Sequence, residues 1–207
     1  MSTPFVSIVT PVHNTAPFLA ECIESVLRQT HQHWEYVIVD NASSDGSGEI
    51  ARRYARNDAR IRVFRYDALL PQVPNYNRAL SLVAPGSRYV KVLEADNWLF
   101  EGCLAQMIGL AEAHPSVGVV CSYNTTETRV RMTALPLAET VVPGHEAARR
   151  QLRGDQYLFG APTTVLLKAS LVRERTPYYD ETCLLAEDQS ACLDALRTSD
   201  LGFVPQV

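Results

Sequence analysis

Three short β-rich apolar runs each end in a polar cluster, and that repeated pattern constrains this chain more than any other feature. VSIVT (6–10) leads into Pro11-Val12-His13-Asn14, and YVIV (36–39) into Asp40-Asn41-Ala42-Ser43-Ser44-Asp45-Gly46. YVKVL (89–93) leads into Glu94-Ala95-Asp96-Asn97. Between and after these runs the period changes to that of a helix. Leu19, Cys22, Ile23, Val26 and Leu27 recur at helical spacing behind Pro17, which suits a first turn. Ile50 and Tyr54 mark a second helix, Asn75 to Leu82 a third stopped by Pro85-Gly86, and Leu104, Met107, Ile108 and Ala111 a fourth. IRVF (61–64) and VGVVCSY (117–123) read as further strands.

Strand and helix in alternation predict an α/β fold, a Rossmann-like and mostly parallel sheet with helices on both faces. In such a sheet ligands bind outside the carboxyl ends of the strands. The polar clusters then share one edge, and the acids gathered there suit a divalent metal and a nucleotide. After Tyr123 the rhythm weakens. One strand is expected near Val130–Met132, a helix over Gly144–Arg153, a turn at Gly160-Ala161-Pro162 before TTVLL (163–167), and a helix over Glu187–Leu196. No repeat or linker divides the chain. The expected organisation is one domain over 1–207, with a nucleotide-binding half at 1–123 and an acceptor-side half at 124–207.

Composition excludes several classes. A net charge of −4 and the lack of a basic run argue against nucleic acid as a partner. No apolar stretch approaches the roughly 18 residues of a transmembrane segment, and the N-terminus lacks a signal-peptide pattern. Cys22, Cys103, Cys121, Cys183 and Cys192 are odd in number and never spaced C-x-x-C, which points to a reducing cytoplasm rather than to disulfides or zinc.

The ordered motifs carry a resemblance. VSIVTPVHN, YVIVDNASSDGS, NYNRAL (75–80) and YVKVLEADNWL (89–99) resemble family-2 glycosyltransferases of the GT-A fold. Within that family they are similar to a bacterial subgroup reading N-x-N-R-A-L and Y-V-K-x-L-x-A-D-D-W. YLFGAPTTVLLKASLV (157–172) and PYYDE (177–181) fit the same subgroup, so the likeness runs from about residue 5 to residue 204. It implies an inverting transfer of a sugar from a nucleotide diphosphate donor, uridine diphosphate by default, to the hydroxyl of an acceptor saccharide or lipid-linked acceptor.

The resemblance also distributes roles. Donor-nucleotide contacts fall to Pro11, His13, Asn14, Asp40, Asp45, Asn77, Arg78 and Ala95. Relatives often carry Tyr where this chain has His13. Asp40 would meet the base, although the turn-forming run behind it also suits an Asx-turn, and Asp45 equally suits a helix cap. Asp96, with Glu94, takes the place of the metal motif for Mg²⁺ or Mn²⁺. Asn97 stands where a second aspartate is frequent. Asp188, with Glu187 beside it, matches the general base at the start of a late helix, a place the helix dipole also favours for acids. Lys91, mid-strand, is within reach of a carboxylate at the sheet edge. Relatives continue past the equivalent of Val207, so an extension is expected to be missing here. A non-catalytic nucleotide-sugar binding domain is the alternative that Asn97 and this ending favour. A nucleotidyltransferase fits less well, because Pro11-Val12-His13-Asn14 is neither glycine-rich nor basic.

Overall fold

The computed structural model describes residues 3–126, 129–131, 135–136, 138–183 and 185–205. Met132, named above as the end of a strand, lies outside them, as do residues 206 and 207. Strands β1 (Val6–Val12), β2 (Trp34–Asn41), β3 (Ile61–Tyr66), β4 (Tyr89–Val92) and β5 (Val117–Ser122) occupy the expected runs. A small hairpin of β6 (Asn124–Thr126) and β7 (Arg129–Arg131) follows, then β8 (Val141–Val142), β9 (Val165–Lys168) and β10 (Asp200–Val204). The helices are α1 (Ala16–Leu27), α2 (Ser47–Ala55), α3 (Gln72–Ser81), α4 (Cys103–Ala113), α5 (Gly144–Arg153), α6 (Ala169–Arg173) and α7 (Glu187–Ala195).

Eight strands form one sheet in the order β3-β2-β1-β4-β9-β5-β10-β8. β1 pairs in parallel with β2 on one side and β4 on the other, and β2 pairs in parallel with β3. β9 runs against both β4 and β5, and β8 against β10, so the sheet is mixed but mostly parallel. Every residue of β1 and β2 is buried, as expected of strands covered on both faces. The alternation of side chains sorts them into two layers. Val6, Ile8 and Val12 pack with Leu19, Ile23, Leu104 and Met107 of α1 and α4. Val9, Val37 and Val92 pack with Ala79, Ala147 and Cys192 of α3, α5 and α7.

The last residues of β1 show how the crevice opens. Pairing between β1 and β4 ends at Val9–Val92, with the Leu93 N–H donating to the Val9 carbonyl. Pro11, two residues on, faces the same side, where no partner strand remains to miss its N–H. β1 continues beside β2 to Val12, while the chain after β4 turns away. The strand order changes direction between β1 and β4, which is where open α/β sheets receive ligands.

Lys91 does not reach the sheet edge. It is 0% exposed and turned toward α4, where its Nζ lies 3.6 Å from the Met107 Sδ. Burial drives its pKa down, against the opposing influence of the Cys103 and Cys121 thiols. All five cysteines are free, and among the described residues no helix is long and apolar enough to cross a membrane.

β2 also extends further than its apolar run. Asp40 and Asn41 pair with Arg65 and Tyr66, so Asp40 lies within the strand rather than past it. Its carboxylate is fully buried. Arg65 Nη1 donates to Oδ2 at 2.7 Å, and the Ser43 N–H donates to Oδ1 at 2.9 Å. Gly48 makes room for this pair, because a Cβ there would lie 2.4 Å from Asp40 Oδ2. A short, doubly bonded carboxylate cannot swing aside. Gly48→Ala is therefore expected to destabilise the fold by about 1–3 kcal/mol, read as a lower Tm. Gly86→Ala, with nothing within 4 Å of the new methyl, should stay within about 0.5 kcal/mol of wild type.

Candidate functional site

The loops after β1 and β2 are stitched together. His13 donates from Nδ1 to the Asn41 carbonyl at 2.8 Å, since a carbonyl can only accept. The Asn14 N–H donates to Ser43 Oγ at 3.1 Å, and Asn14 Oδ1 accepts from the Ser44 N–H at 2.9 Å. Asp45 takes the Ala16 N–H at the start of α1 and the N–H and hydroxyl of Ser47 at the start of α2. Burial works to raise its pKa, but these hydrogen bonds outweigh it and hold the carboxyl below its usual value. Asp45 thus caps two helices, the alternative the sequence left open. Asn14 (φ 53°) and Ala42 (φ 58°) adopt left-handed backbone in these loops, a strain that persists only where surrounding contacts impose it.

The expected donor residues separate into two groups. Pro11 and Ala95 are buried, while His13, Asn14 and Asp45 keep exposed side chains on the stitched rim. β2, which carries Asp40, and β4, which leads to Asp96, lie two strands apart, so their ends are roughly 10 Å from each other across the sheet. The enclosed Asp40 carboxylate touches Arg65 and Ser43, however, and does not open onto the crevice. Asn77 is committed elsewhere. Its Oδ1 accepts the Tyr179 N–H at 2.8 Å, and its Nδ2 donates to the Tyr179 carbonyl and Glu181 at 2.9 and 3.0 Å. This ties α3 to the chain before α7. Arg78 lays its guanidinium over the Tyr66 ring at 3.9 Å, and its Nη1 is buried without a hydrogen-bond partner.

A second set of groups gathers at the end of β4. Glu94, Glu187 and Asp188 line one cavity of about 470 Å³, with Gln72, Tyr157 and Asn124. Glu94 Oε1 accepts from the Tyr76 hydroxyl at 3.3 Å, and its Oε2 accepts from Thr163 Oγ1 and Asn97 Nδ2 at 3.2 Å. Asp96 is exposed, and among the described residues its hydrogen-bond contact is a long one of 3.4 Å from the Asn97 amide. Ala186, at φ 60°, leads into α7 and presents Glu187 and Asp188 in its first turn.

These acids sit in their own field. Burial raises the Glu94 pKa first, and the negative charges of Asp96 and Asp188 add to it against hydrogen bonds from Thr163 and Tyr76. Asp188 is raised first by burial and further by Glu187, against backbone N–H donors. No cation figures among the influences on either group. Glu94 and Asp96 offer only oxygen donors, which suit a hard ion such as Mg²⁺ or Mn²⁺. Among the described residues no group of three or more His, Cys, Asp or Glu closes around a metal position. The pair therefore fits an ion that also draws oxygens from a ligand, with Asp96 the freer carboxylate.

Tyr76, Tyr157 and Thr163 were not singled out in the sequence. Tyr76 lies inside NYNRAL, where its own motif was the available signal. Tyr157 accepts from Gln189 Nε2 at 3.0 Å, and burial, with a further push from the Asp188 charge, raises its pKa. Thr163 meets Glu94 only because β9 inserts beside β4, which no local pattern announces.

Residues 7–176 match the model of the glycosyl transferase family 2. Among curated proteins, the uncharacterized glycosyltransferase EpsJ of Bacillus subtilis is 28% identical over 201 residues, covering 95% of this chain and 57% of EpsJ. Among solved structures, S. aureus TarS 1–349 superposes with a TM-score of 0.80 at 20% identity, over 99% of this chain and 58% of that one. The same protein in complex with UDP-GlcNAc gives 0.77 at 21% identity, over 99% and 56%. The mannosyltransferase PcManGT of Pyrobaculum calidifontis, in complex with GDP-Man and Mn²⁺, gives 0.74 at 20% identity, over 99% and 56%. These likenesses show the GT-A fold, and the chain spans a little over half the length of each of these proteins.

The raised carboxyls make a prediction about stability. A group whose pKa is higher in the folded state stabilises below its unfolded value, and that contribution is lost as pH rises through the folded value. Glu94→Gln and Asp188→Asn should each raise Tm at pH 7. The gain should shrink as pH falls toward about 4, followed by thermal melts across that range.

Proposed function

The chain belongs to the glycosyl transferase family 2, and we propose that it transfers a sugar, with inversion, from a nucleoside diphosphate donor to an acceptor hydroxyl. The observation that carries this reading is the cavity in which Asp188 and Glu94 meet, beside Asp96, at the strand-end crevice. The solved neighbours in complex with UDP-GlcNAc and with GDP-Man support a nucleotide sugar as donor, and we take uridine diphosphate as the first nucleotide to test. An acceptor saccharide or lipid-linked acceptor completes the pair. The two halves, 1–123 and 124–207, act as one domain in this proposal, since both contribute walls to the cavity. The free thiols suit the cytoplasm.

In this mechanism the donor lies across the crevice, with its base toward the rim of His13 and Asn14. Asp40 acts at one remove, by holding Arg65 and the Ser43 turn in place. The resemblance assigns Arg78 to the diphosphate, and its guanidinium would have to turn from the Tyr66 ring to meet a phosphate oxygen. Mg²⁺ or Mn²⁺, held through Asp96 with Glu94 beside it, would offset the charge that builds on the departing diphosphate. Asp188 accepts the proton of the acceptor hydroxyl as that oxygen attacks the anomeric carbon. The new C–O bond forms on the face opposite the breaking bond to the diphosphate, so the configuration inverts. A carboxyl lifted by burial is a better base for this step than an ordinary aspartate. The Asn97 amide, which donates to both Glu94 and Asp96, favours the second reading of a module that binds the donor without turning it over.

Asp188→Asn should lower transfer and donor hydrolysis about 10²–10⁴-fold. It should keep the rise in Tm produced by uridine diphosphate with Mn²⁺. Unchanged turnover would remove Asp188 from the role of base, and nucleotide binding with no turnover by the wild type would favour the binding module. Asp96→Asn should abolish the Mn²⁺-dependent part of that rise, and a fully retained Mn²⁺ effect would refute the metal assignment.

A further inference from the structure

The chain has two lysines among its nineteen lysine and arginine side chains, and one of them, Lys91, is fully buried. Among the described residues its Nζ has one hydrogen-bond contact, the Met107 Sδ at 3.6 Å. An amine held away from water with a thioether as its partner works against folding, and a leucine or methionine in its place would remove that cost. Burial drives its pKa down, which favours the uncharged amine, a nucleophile. Cys103 shares the same neighbour. Its Sγ lies 3.8 Å from the Met107 Sδ, at the first residue of α4. Cys103 is half-buried rather than sealed, and it lines a cavity of about 270 Å³ together with Trp98 and Ser122, through which a small molecule reaches the thiol. Cys121, the other thiol that acts on Lys91, is no rival. It packs with Val119 in the layer opposite Met107, and burial pushes its thiol up to about 12.

We propose that Cys103 and Lys91 form a peroxide-responsive pair: hydrogen peroxide oxidises the Cys103 thiol, and the Lys91 amine captures the product as a sulfenamide. In the first step the sulfur attacks one peroxide oxygen and the O–O bond breaks, which gives a sulfenic acid and one water. Two electrons pass from sulfur to the peroxide. In the second step the Lys91 nitrogen attacks that sulfur and the S–O bond breaks. The oxygen leaves as a second water, taking one proton from the amine, and no further oxidant is consumed. Met107, unbranched and flexible, stands between the two groups and gives way as the S–N bond forms. Two equivalents of a free thiol reverse the bridge, the first displacing the amine and the second releasing Cys103 from the mixed disulfide. The bridge closes residues 92–102 into a ring, and that segment carries Glu94 and Asp96. The chemistry needs neither donor nor acceptor, so its failure leaves the transfer reading untouched.

The whole chain is treated with hydrogen peroxide, its remaining thiols are alkylated in denaturant, and it is digested with trypsin. In the bridged species the fragment from Tyr89 to Arg129 should stay uncut at Lys91 and lack two hydrogen atoms. It should carry the alkyl label on Cys121 but not on Cys103. Dithiothreitol is expected to restore cleavage at Lys91 and labelling of Cys103. In Lys91→Met, a swap that leaves the core filled, Cys103 should instead hold a sulfenic acid that dimedone labels. Four results overturn the proposal. They are cleavage at Lys91 that persists once Cys103 is oxidised, a disulfide from Cys103 to another cysteine or a link to Lys168 in place of the bridge, dimedone labelling of Cys103 as strong in the wild type as in Lys91→Met, and a Cys103 thiol that survives peroxide unoxidised.

Discussion

The parallel pairing of β1 with a neighbour on each side is the constraint on which the rest of the molecule depends. A strand buried on both faces and both edges has no freedom of register, because a shift of one residue would turn Val6, Ile8 and Val12 out of their layer. With β1 fixed, the ends of β2 and β4 fall at one edge, and the loops behind them have nowhere else to go. The hydrogen bonds from His13 to Asn41 and from Ala16 to Asp45 then join loops that are 28 and 29 residues apart in sequence. The early end of β4, set against the longer run of β1 beside β2, leaves the gap in which polar groups can gather.

Much of this was legible in the sequence, and for a physical reason. β-branched runs bounded by turn formers located β1, β2 and β4, and the apolar spacing of α1 and α4 located their helices. The helix expected at Gly144–Arg153 is the one found. What local pattern cannot carry is direction and distant partnership. TTVLL announces a strand but not that it runs against its neighbours. DLGFV, five residues with a glycine at the centre, passed without assignment and forms β10. The enclosure of Asp40 depends on Arg65, 25 residues on, and on the missing side chain of Gly48. The Asn77 amide looked available and is held by a backbone 102 residues away.

Glu94 and Asp188, at the crevice, do not stabilise the fold at neutral pH. Glu94 and Asp188 are desolvated and repelled by like charges, and the influences acting on them include no cation. Such an arrangement opposes folding at neutral pH and is kept where a ligand or a reaction has use for it. Asp45 shows the opposite case within the same edge: a carboxylate satisfied by N–H donors, lowered in pKa and serving structure.

The insertion of β9 has a consequence for how the chain acquires its shape. β4 and β5 are close in sequence, yet residues 165–168 lie between them in the sheet. While the chain emerges from the ribosome, the facing sides of both strands carry unpaired amides and carbonyls until β9 arrives more than forty residues after β5. Bare strand sides of this kind invite pairing with a neighbouring chain. Nascent molecules are therefore most exposed to mispairing late in synthesis, and a chain that stalls before β9 has an open seam at the centre of its sheet.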